Sequence, residues 1–345
     1  MSLDRGALAR ALLRACHAIV LAAVVLSAAR CGGGPTTPPP PSIPALTISC
    51  PSVTQVQSMD NNPVTVTYAP PTAGGGVAPL TTTCTPASET AFNVGTTTVQ
   101  CSTTDTRGVT AACNFAVTVL PPPRLVATRF VAFGDSLTAG VYADPVRRLT
   151  ITVSPYAYPE QVLSMMRARY RQQSIDMVNE GIPGEWASDC GGCLSSGIKR
   201  FRNTITRHQP GIVLLMEGTN DLLDPDKERG MTNAIAALSS MIREAKSLNV
   251  RVALATIPPQ RPDGTRNRGP VAAVIPTFND RIRALAAAES VPLVDVFNAM
   301  KDDLSLIGDD DLHPTIRGFE VMAQTFFEAV QRNFEERPPA PGAIR

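Results

Sequence analysis

The alternation of apolar and polar positions changes character twice along the chain. The first 30 residues hold one apolar block, Ala15 to Ala29, behind Arg5, Arg10 and Arg14. From 45 to 120 the apolar positions fall in short β-branched runs: Leu46-Thr47-Ile48, Val64-Thr65-Val66-Thr67-Tyr68, Thr97-Thr98-Val99-Gln100 and Phe115-Ala116-Val117-Thr118-Val119. Turn formers separate them, Asn61-Asn62-Pro63 and Gly74-Gly75-Gly76 among them. No helical period intervenes, which predicts a small antiparallel sandwich. From residue 124 the pattern becomes alternating. Strand-like runs fall at 129–133, 175–179, 211–216, 251–257 and 292–297. Helical periods fill 159–171, 194–208, 229–248, 276–288 and about 315–333. Such alternation predicts an α/β segment, a parallel sheet covered by helices on both faces. Ile212-Val213-Leu214-Leu215-Met216 is apolar throughout, as a doubly covered strand requires.

Proline and glycine mark the joints. Residues 31–44 are a Pro/Gly/Thr-rich linker whose four consecutive prolines favour an extended spacer. Pro121-Pro122-Pro123 separates the β segment from the alternating one, expected to run over 124–335 and to leave 336–345 as a flexible tail.

The amino-terminal block reads as a signal peptide over residues 1–30; its 15-residue apolar stretch, interrupted by His17, falls short of the roughly 20 of a membrane-spanning helix. Two processing routes remain open. Ser27-Ala28-Ala29 suits ordinary cleavage and secretion, whereas Cys31 before Gly32-Gly33-Gly34 resembles the lipidated first residue of a bacterial lipoprotein, despite Arg30 in place of a small residue. Cysteine arithmetic favours lipidation. Seven cysteines follow the signal, and an acylated Cys31 leaves an even six (50, 84, 101, 113, 190 and 193) for disulfides in an oxidising compartment. The expected location is the cell envelope or the exterior, with membrane attachment through Cys31. Charge adds an exclusion: the net +1 of the whole chain becomes −2 without residues 1–30, which leaves no basic footprint for nucleic acid.

The segment 45–120 resembles a hyalin-repeat (HYR) domain, an immunoglobulin-like module. The resemblance rests on Ile48-Ser49-Cys50-Pro51, on the run from Phe92 to Cys101, and on Asp105-Thr106-Arg107-Gly108 before Cys113. Four cysteines permit three pairings. The resemblance implies Cys50 with Cys113 and Cys84 with Cys101, and a spacer or a contact to cell surfaces or glycans rather than catalysis.

Chemistry is expected at the carboxyl ends of the parallel strands. Gly134-Asp135-Ser136-Leu137-Thr138 follows the first and Asn179-Glu180-Gly181-Ile182-Pro183-Gly184-Glu185 the second. Glu217-Gly218-Thr219-Asn220-Asp221 follows the third, and Asp309-Asp310-Asp311-Leu312-His313-Pro314 lies beyond the fifth. These four blocks, in this order, resemble the SGNH (GDSL) hydrolase family over about 124–335. The resemblance implies a three-layer α/β/α, flavodoxin-like domain with a five-stranded parallel sheet. It also implies a serine esterase or lipase that needs no metal or cofactor. Ser136 is then the nucleophile, His313 the general base, and Asp310 the group that orients the imidazole. The backbone N–H groups of Ser136 and Gly184 and the amide of Asn220 form the oxyanion hole. Asp309 and Asp311 lack the spacing to His313, Asp135 orders the turn, and Asp221 braces the third loop.

Only His17, His208 and His313 occur, so few bases compete. His208 ends a predicted helix, where an imidazolium suits the carboxyl terminus. Cys190-Gly191-Gly192-Cys193 lacks further metal ligands and reads as a local disulfide at the rim. Two segments, 142–158 and 258–270, are expected to shape the pocket; Arg261, Arg266 and Arg268 in the second would favour an anionic substrate. The substrate is a small-molecule, glycan or lipid ester. The alternatives are a glycan O-deacetylase or acyltransferase using the same site, and a cell-surface adhesion protein with an accessory hydrolase domain.

Overall fold

The computed structural model describes residues 41–336 apart from 53, 145–148, 153, 265 and 267. The expected signal peptide, Cys31, most of the 31–44 linker and nearly all of the 336–345 tail lie outside the described residues.

The amino-terminal segment contains eight strands: β1 (Thr47–Ser49), β2 (Thr54–Gln57), β3 (Val64–Val66), β4 (Thr72–Gly74), β5 (Thr81–Thr85), β6 (Thr90–Phe92), β7 (Gly95–Thr104) and β8 (Thr110–Leu120). They form a four-stranded sheet in the order β2-β8-β7-β5 and two ribbons, β1-β4 and β3-β6. All pairings are antiparallel except β2 with β8, which run parallel. That is a departure from the expected all-antiparallel arrangement. β2 (TQVQ) and β4 (TAG) carry too few apolar residues to announce themselves in the sequence.

Its core is thin: Val66, Tyr68, Phe92, Val99, Cys101, Phe115, Val117 and Val119 form the buried cluster. Two disulfides, Cys50–Cys113 and Cys84–Cys101, cross it. They compensate for apolar burial that so short a segment cannot supply.

The second segment begins with β9 (Arg129–Gly134), followed by a one-turn helix α1 (Ser136–Ala139) and a hairpin of β10 (Val141–Asp144) and β11 (Leu149–Thr152). Then come α2 (Tyr158–Arg169), β12 (Asp176–Gly181), α3 (Gly197–His208), β13 (Ile212–Met216), α4 (Lys227–Ser247) and β14 (Arg251–Ala255). The chain continues through α5 (Gly269–Ala272), α6 (Ile275–Ala288), β15 (Leu293–Val294), α7 (Val296–Met300) and α8 (Ile316–Phe334). The sheet order β12-β9-β13-β14-β15, parallel throughout, is the flavodoxin-like order. α2 packs against α8, with Tyr158 stacked on Phe326 at 4.4 Å between ring centroids, and α3 packs against α4. These pairs cover the two faces, which is why all five residues of β13 are fully buried.

The fifth strand is shorter than the predicted 292–297. Asp295 caps a helix instead, its side chain accepting from the Asn298 N–H at 3.2 Å, so the chain turns helical at Val296. The β10–β11 hairpin occupies the first half of the segment expected to shape the pocket.

The first strand in sequence, β9, lies inside the sheet. Gly134 at its end is level with Gly181 of β12 and Met216 of β13. Three loops therefore leave the sheet side by side where the strand order reverses, the place an open α/β sheet offers to a ligand.

Candidate active site

The loop from β9 is set by close packing. A side chain at Gly134 would bring its Cβ within 2.4 Å of the Met216 carbonyl and 2.0 Å of the Thr138 hydroxyl, so only glycine lets the chain turn so near its neighbour. Asp135 caps the short helix, its Oδ1 accepting from the Leu137 N–H at 2.9 Å. Ser136 follows as the first residue of α1, 6 % exposed.

His313 arrives from the far end of the chain, in the loop between α7 and α8. Its Nε2 lies 2.9 Å from Ser136 Oγ, and its Nδ1 lies 2.5 Å from Asp310 Oδ2. Asp310 Oδ1 accepts from the backbone N–H groups of His313 and Leu312 at 2.9 and 3.2 Å. Burial alone would raise the Asp310 pKa; the bond to His313, its charge and the two N–H groups outweigh it and hold the carboxyl at about 2. Asp310 is thus an anion fixed against one imidazole nitrogen while the other faces a serine hydroxyl.

The flanking aspartates do other things. Asp309 is largely exposed, 3.8 Å from Arg261. Asp311 is buried, and its Oδ2 accepts the Arg266 N–H at 2.7 Å while its carbonyl accepts the Arg261 N–H at 3.0 Å, which ties down the 258–268 loop. That loop brings the Arg266 guanidinium within 3.9 Å of Asp310 Oδ2. Arg268 is half-buried; burial, with help from Arg266, lowers its pKa.

Gly184 lies in the turn after β12, at a φ of +80° with open space where a side chain would sit. Asn220 lies in the loop after β13, 8 % exposed. One N–H of its side-chain amide donates to the Glu185 carbonyl at 2.7 Å, which joins the Gly184 and Asn220 loops. Asp221 braces the loop after β12 rather than its own, its oxygens accepting from the Ala187 and Ser188 N–H groups at 2.8 and 3.0 Å. Cys190 and Cys193 are bridged in the same loop, whose base is closed by a Trp186–Ser196 pairing. His208 ends α3, but its Nε2 meets Glu180 Oε1 at 2.6 Å instead of the helix carbonyls.

Beneath these loops lies a cluster that the sequence did not suggest. Asp135, Glu185, Glu217 and Asp221 are all fully buried. The guanidinium of Arg200, from α3, stands 3.8 Å over the Phe133 ring. Its Nε donates to both Glu185 oxygens at 2.8 and 2.7 Å. Burial, reinforced by the Asp221 and Glu185 charges, pushes Asp135 up to about 7. Burial and the same kind of repulsion push Glu217 well above the carboxylate range, and burial raises Asp221. The available signal was Glu217 itself, an acid immediately behind five apolar strand residues.

The GDSL-like Lipase/Acylhydrolase family matches residues 132–321, and the HYR domain matches residues 36–119. The chain belongs to the GDSL-like lipase/acylhydrolase family. As a GDSL hydrolase it is a carboxylic ester hydrolase of the SGNH type. No curated protein matches the chain. Among solved structures, the carbohydrate acetylesterase Est24 from Sinorhizobium meliloti is 16 % identical with a TM-score of 0.50, covering 60 % of this chain and 99 % of its own. The inhibitor-bound aryl esterase of M. Smegmatis gives 18 % and 0.50, with coverages of 60 % and 99 %. A lipase/acylhydrolase from Enterococcus faecalis is 24 % identical with a TM-score of 0.48, covering 63 % of this GDSL hydrolase and 99 % of its own chain. At these identities the likeness is one of fold. The HYR match and the three disulfides are compatible with an extracellular location, and among the described residues no helix is long and apolar enough to cross a membrane.

Proposed function

We propose that this hydrolase is an exported serine esterase that cleaves carboxylic esters through an acyl-enzyme on Ser136. One observation carries the reading: the continuous relay from Ser136 Oγ to His313 Nε2 at 2.9 Å and from His313 Nδ1 to Asp310 Oδ2 at 2.5 Å. The Ser136 oxygen attacks the ester carbonyl as its proton passes to His313 Nε2. The developing imidazolium is stabilised by the Asp310 anion. The carbonyl oxygen, now negative, accepts hydrogen bonds from the N–H groups of Ser136 and Gly184 and from the Asn220 amide. The carbon–oxygen bond to the alcohol then breaks, and the alcohol leaves with the proton held by His313. Water repeats the sequence on the acyl-enzyme, releasing the carboxylic acid and returning the proton to Ser136.

The chain divides, in this reading, into a cleaved 1–30 leader, a 31–44 spacer, a HYR-like module over 45–120 and the hydrolase over 124–335. Lipidation at Cys31 would attach it to a membrane, and mass spectrometry of the mature amino terminus tests this: an unmodified Cys31 refutes it. The enzymatic reading is tested with p-nitrophenyl esters from acetyl to palmitoyl, alongside acetylated glycans. Wild-type turnover that survives Ser136→Ala overturns the serine mechanism. Silence on every chromogenic ester, with acetate released from glycans, moves the assignment to a glycan O-deacetylase.

A further inference from the structure

Glu217 takes no part in the chemistry above, yet it is fully buried directly behind the candidate oxyanion loop. Its Oε2 accepts from the adjacent Gly218 N–H at 3.3 Å. Its Oε1 is buried and receives no donor from any N–H or hydroxyl. The carboxyl of Glu185, itself fully buried, is near enough to interact with it. Two carboxylate oxygens cannot be joined without a proton between them. Glu185 is already supplied: Arg200 donates to both of its oxygens, and Ser195 Oγ donates to Oε2 at 2.5 Å. Glu217 has no cation and no such donor, so the proton belongs on Glu217 Oε1.

We propose that Glu217 is a positioning residue of this esterase, whose carboxylic acid donates its proton to Glu185 and so locks together the two loops that carry Gly184 and Asn220. This rests on the serine-esterase reading. Glu185 directly follows Gly184, and its carbonyl accepts from the Asn220 amide at 2.7 Å. Glu217 begins the stretch that ends at Asn220. The acid–acid bond therefore repeats at side-chain level the tie that the Asn220–Glu185 carbonyl bond makes at backbone level. Two of the three candidate oxyanion donors are then held by one shared proton.

Every element around Glu217 favours the neutral form. Asp135 at the start of α1, Glu185 after β12 and Asp221 after β13 all repel a charge there. Tyr158 of α2 is also near enough to interact and is itself raised by burial. Arg200 is the one cation described in contact with the cluster, and its guanidinium is engaged by Glu185, by Glu180 and by the Glu180 and Gly134 carbonyls. Arg200 thus neutralises Glu185 without supplying Glu217.

The test uses the full chain with Glu217→Gln, which keeps a donor in the same shape, and Glu217→Leu, which keeps bulk without one. On p-nitrophenyl acetate, Glu217→Gln should retain kcat to within about threefold. Glu217→Leu should lose roughly tenfold or more in kcat, a fraction of the cost of deleting an oxyanion donor outright, with KM within about threefold. The infrared difference spectrum of wild type minus Glu217→Gln at neutral pH should contain a protonated-carboxyl C=O band. Wild-type kcat in Glu217→Leu, or a fall in Glu217→Gln as deep as in Glu217→Leu, overturns the proposal. The absence of the infrared band overturns it as well, even if Glu217→Leu does not fold. Each variant is also measured in a Ser136→Ala background: activity persisting there defeats the serine-esterase reading while the infrared band still reports on the proton.

Discussion

The two segments of this protein reach a folded state by different means. Residues 45–120 enclose eight buried apolar residues and are crossed by two disulfides, whereas the hydrolase buries whole strands such as β13 and one face of each of its long helices α4, α6 and α8. The thin segment keeps its few charges near the surface or paired, as Asp105 is with Arg107. The thick one holds Asp135, Glu185, Glu217 and Asp221 out of water beneath the loops that carry the candidate site. Burying a carboxyl costs several kcal/mol unless it is paired or protonated, a cost only an extensive core can offset. Stapling holds together a segment that has little apolar surface to bury. A large apolar core serves one that must keep costly polar groups in fixed positions.

The contrast is tested most severely at the relay. Ser136→Ala or His313→Ala should lower kcat by about 10⁶, and Asp310→Asn by about 10⁴, with thermal midpoints within a few degrees of wild type. Loss of folding in these variants would mean that the relay is structural. Next in size is Asn220→Ala, expected to cost about 10²–10³ in kcat with little change in KM. An equal loss in KM would remove Asn220 from the oxyanion hole.

On the other segment, replacing Cys50 and Cys113 together by serine should destabilise 45–120 by roughly 2–5 kcal/mol, read by calorimetry of that segment, while ester turnover persists. Turnover falling in step with the loss of the disulfide would break the division of labour.

A smaller effect concerns pH. Asp135 has a folded-state pKa of about 7 against 3.8 for an ordinary aspartate, so its proton leaves the unfolded chain first as pH rises. Its burial therefore costs stability progressively between those two values, and Asp135→Asn should raise the thermal midpoint at pH 8 but not at pH 4. Asp310 has the opposite sign: held at about 2, it contributes stability above pH 4 that is lost as pH falls toward 2. Identical pH profiles for wild type and Asp135→Asn would show that the cluster does not titrate this way. Smallest of all, truncating the exposed Arg202–Glu244 pair should change stability by under about 1 kcal/mol.

Much of this was legible in the sequence for a definite reason. Ser136, Gly184 and Asn220 each sit in a short block just past a strand end, and a parallel sheet brings strand ends together without further information; His313 sits in a block of its own between α7 and α8. The alternating pattern marked all five parallel strands and the longer helices to within a few residues. What stayed hidden depended on three-dimensional neighbours. Glu185 and Glu217 read as ordinary loop acids, because nothing local says that Arg200, from the helix α3 that lies between them in the chain, will stand beside one and not the other. The β10–β11 hairpin carries too few apolar positions to show a period. His208 read as a helix-terminal cation because Glu180, its partner, lies 28 residues earlier.

The relay also has a temporal side. Ser136 and His313 are separated by 177 positions. A polypeptide made at about 5–20 residues per second exposes its serine roughly 10–35 s before its imidazole exists. On the proposed serine-esterase roles, a molecule synthesised past Ser136 but short of His313 therefore contains the nucleophile without its base. On that reading, hydrolysis begins only once His313 has emerged, 177 positions after Ser136.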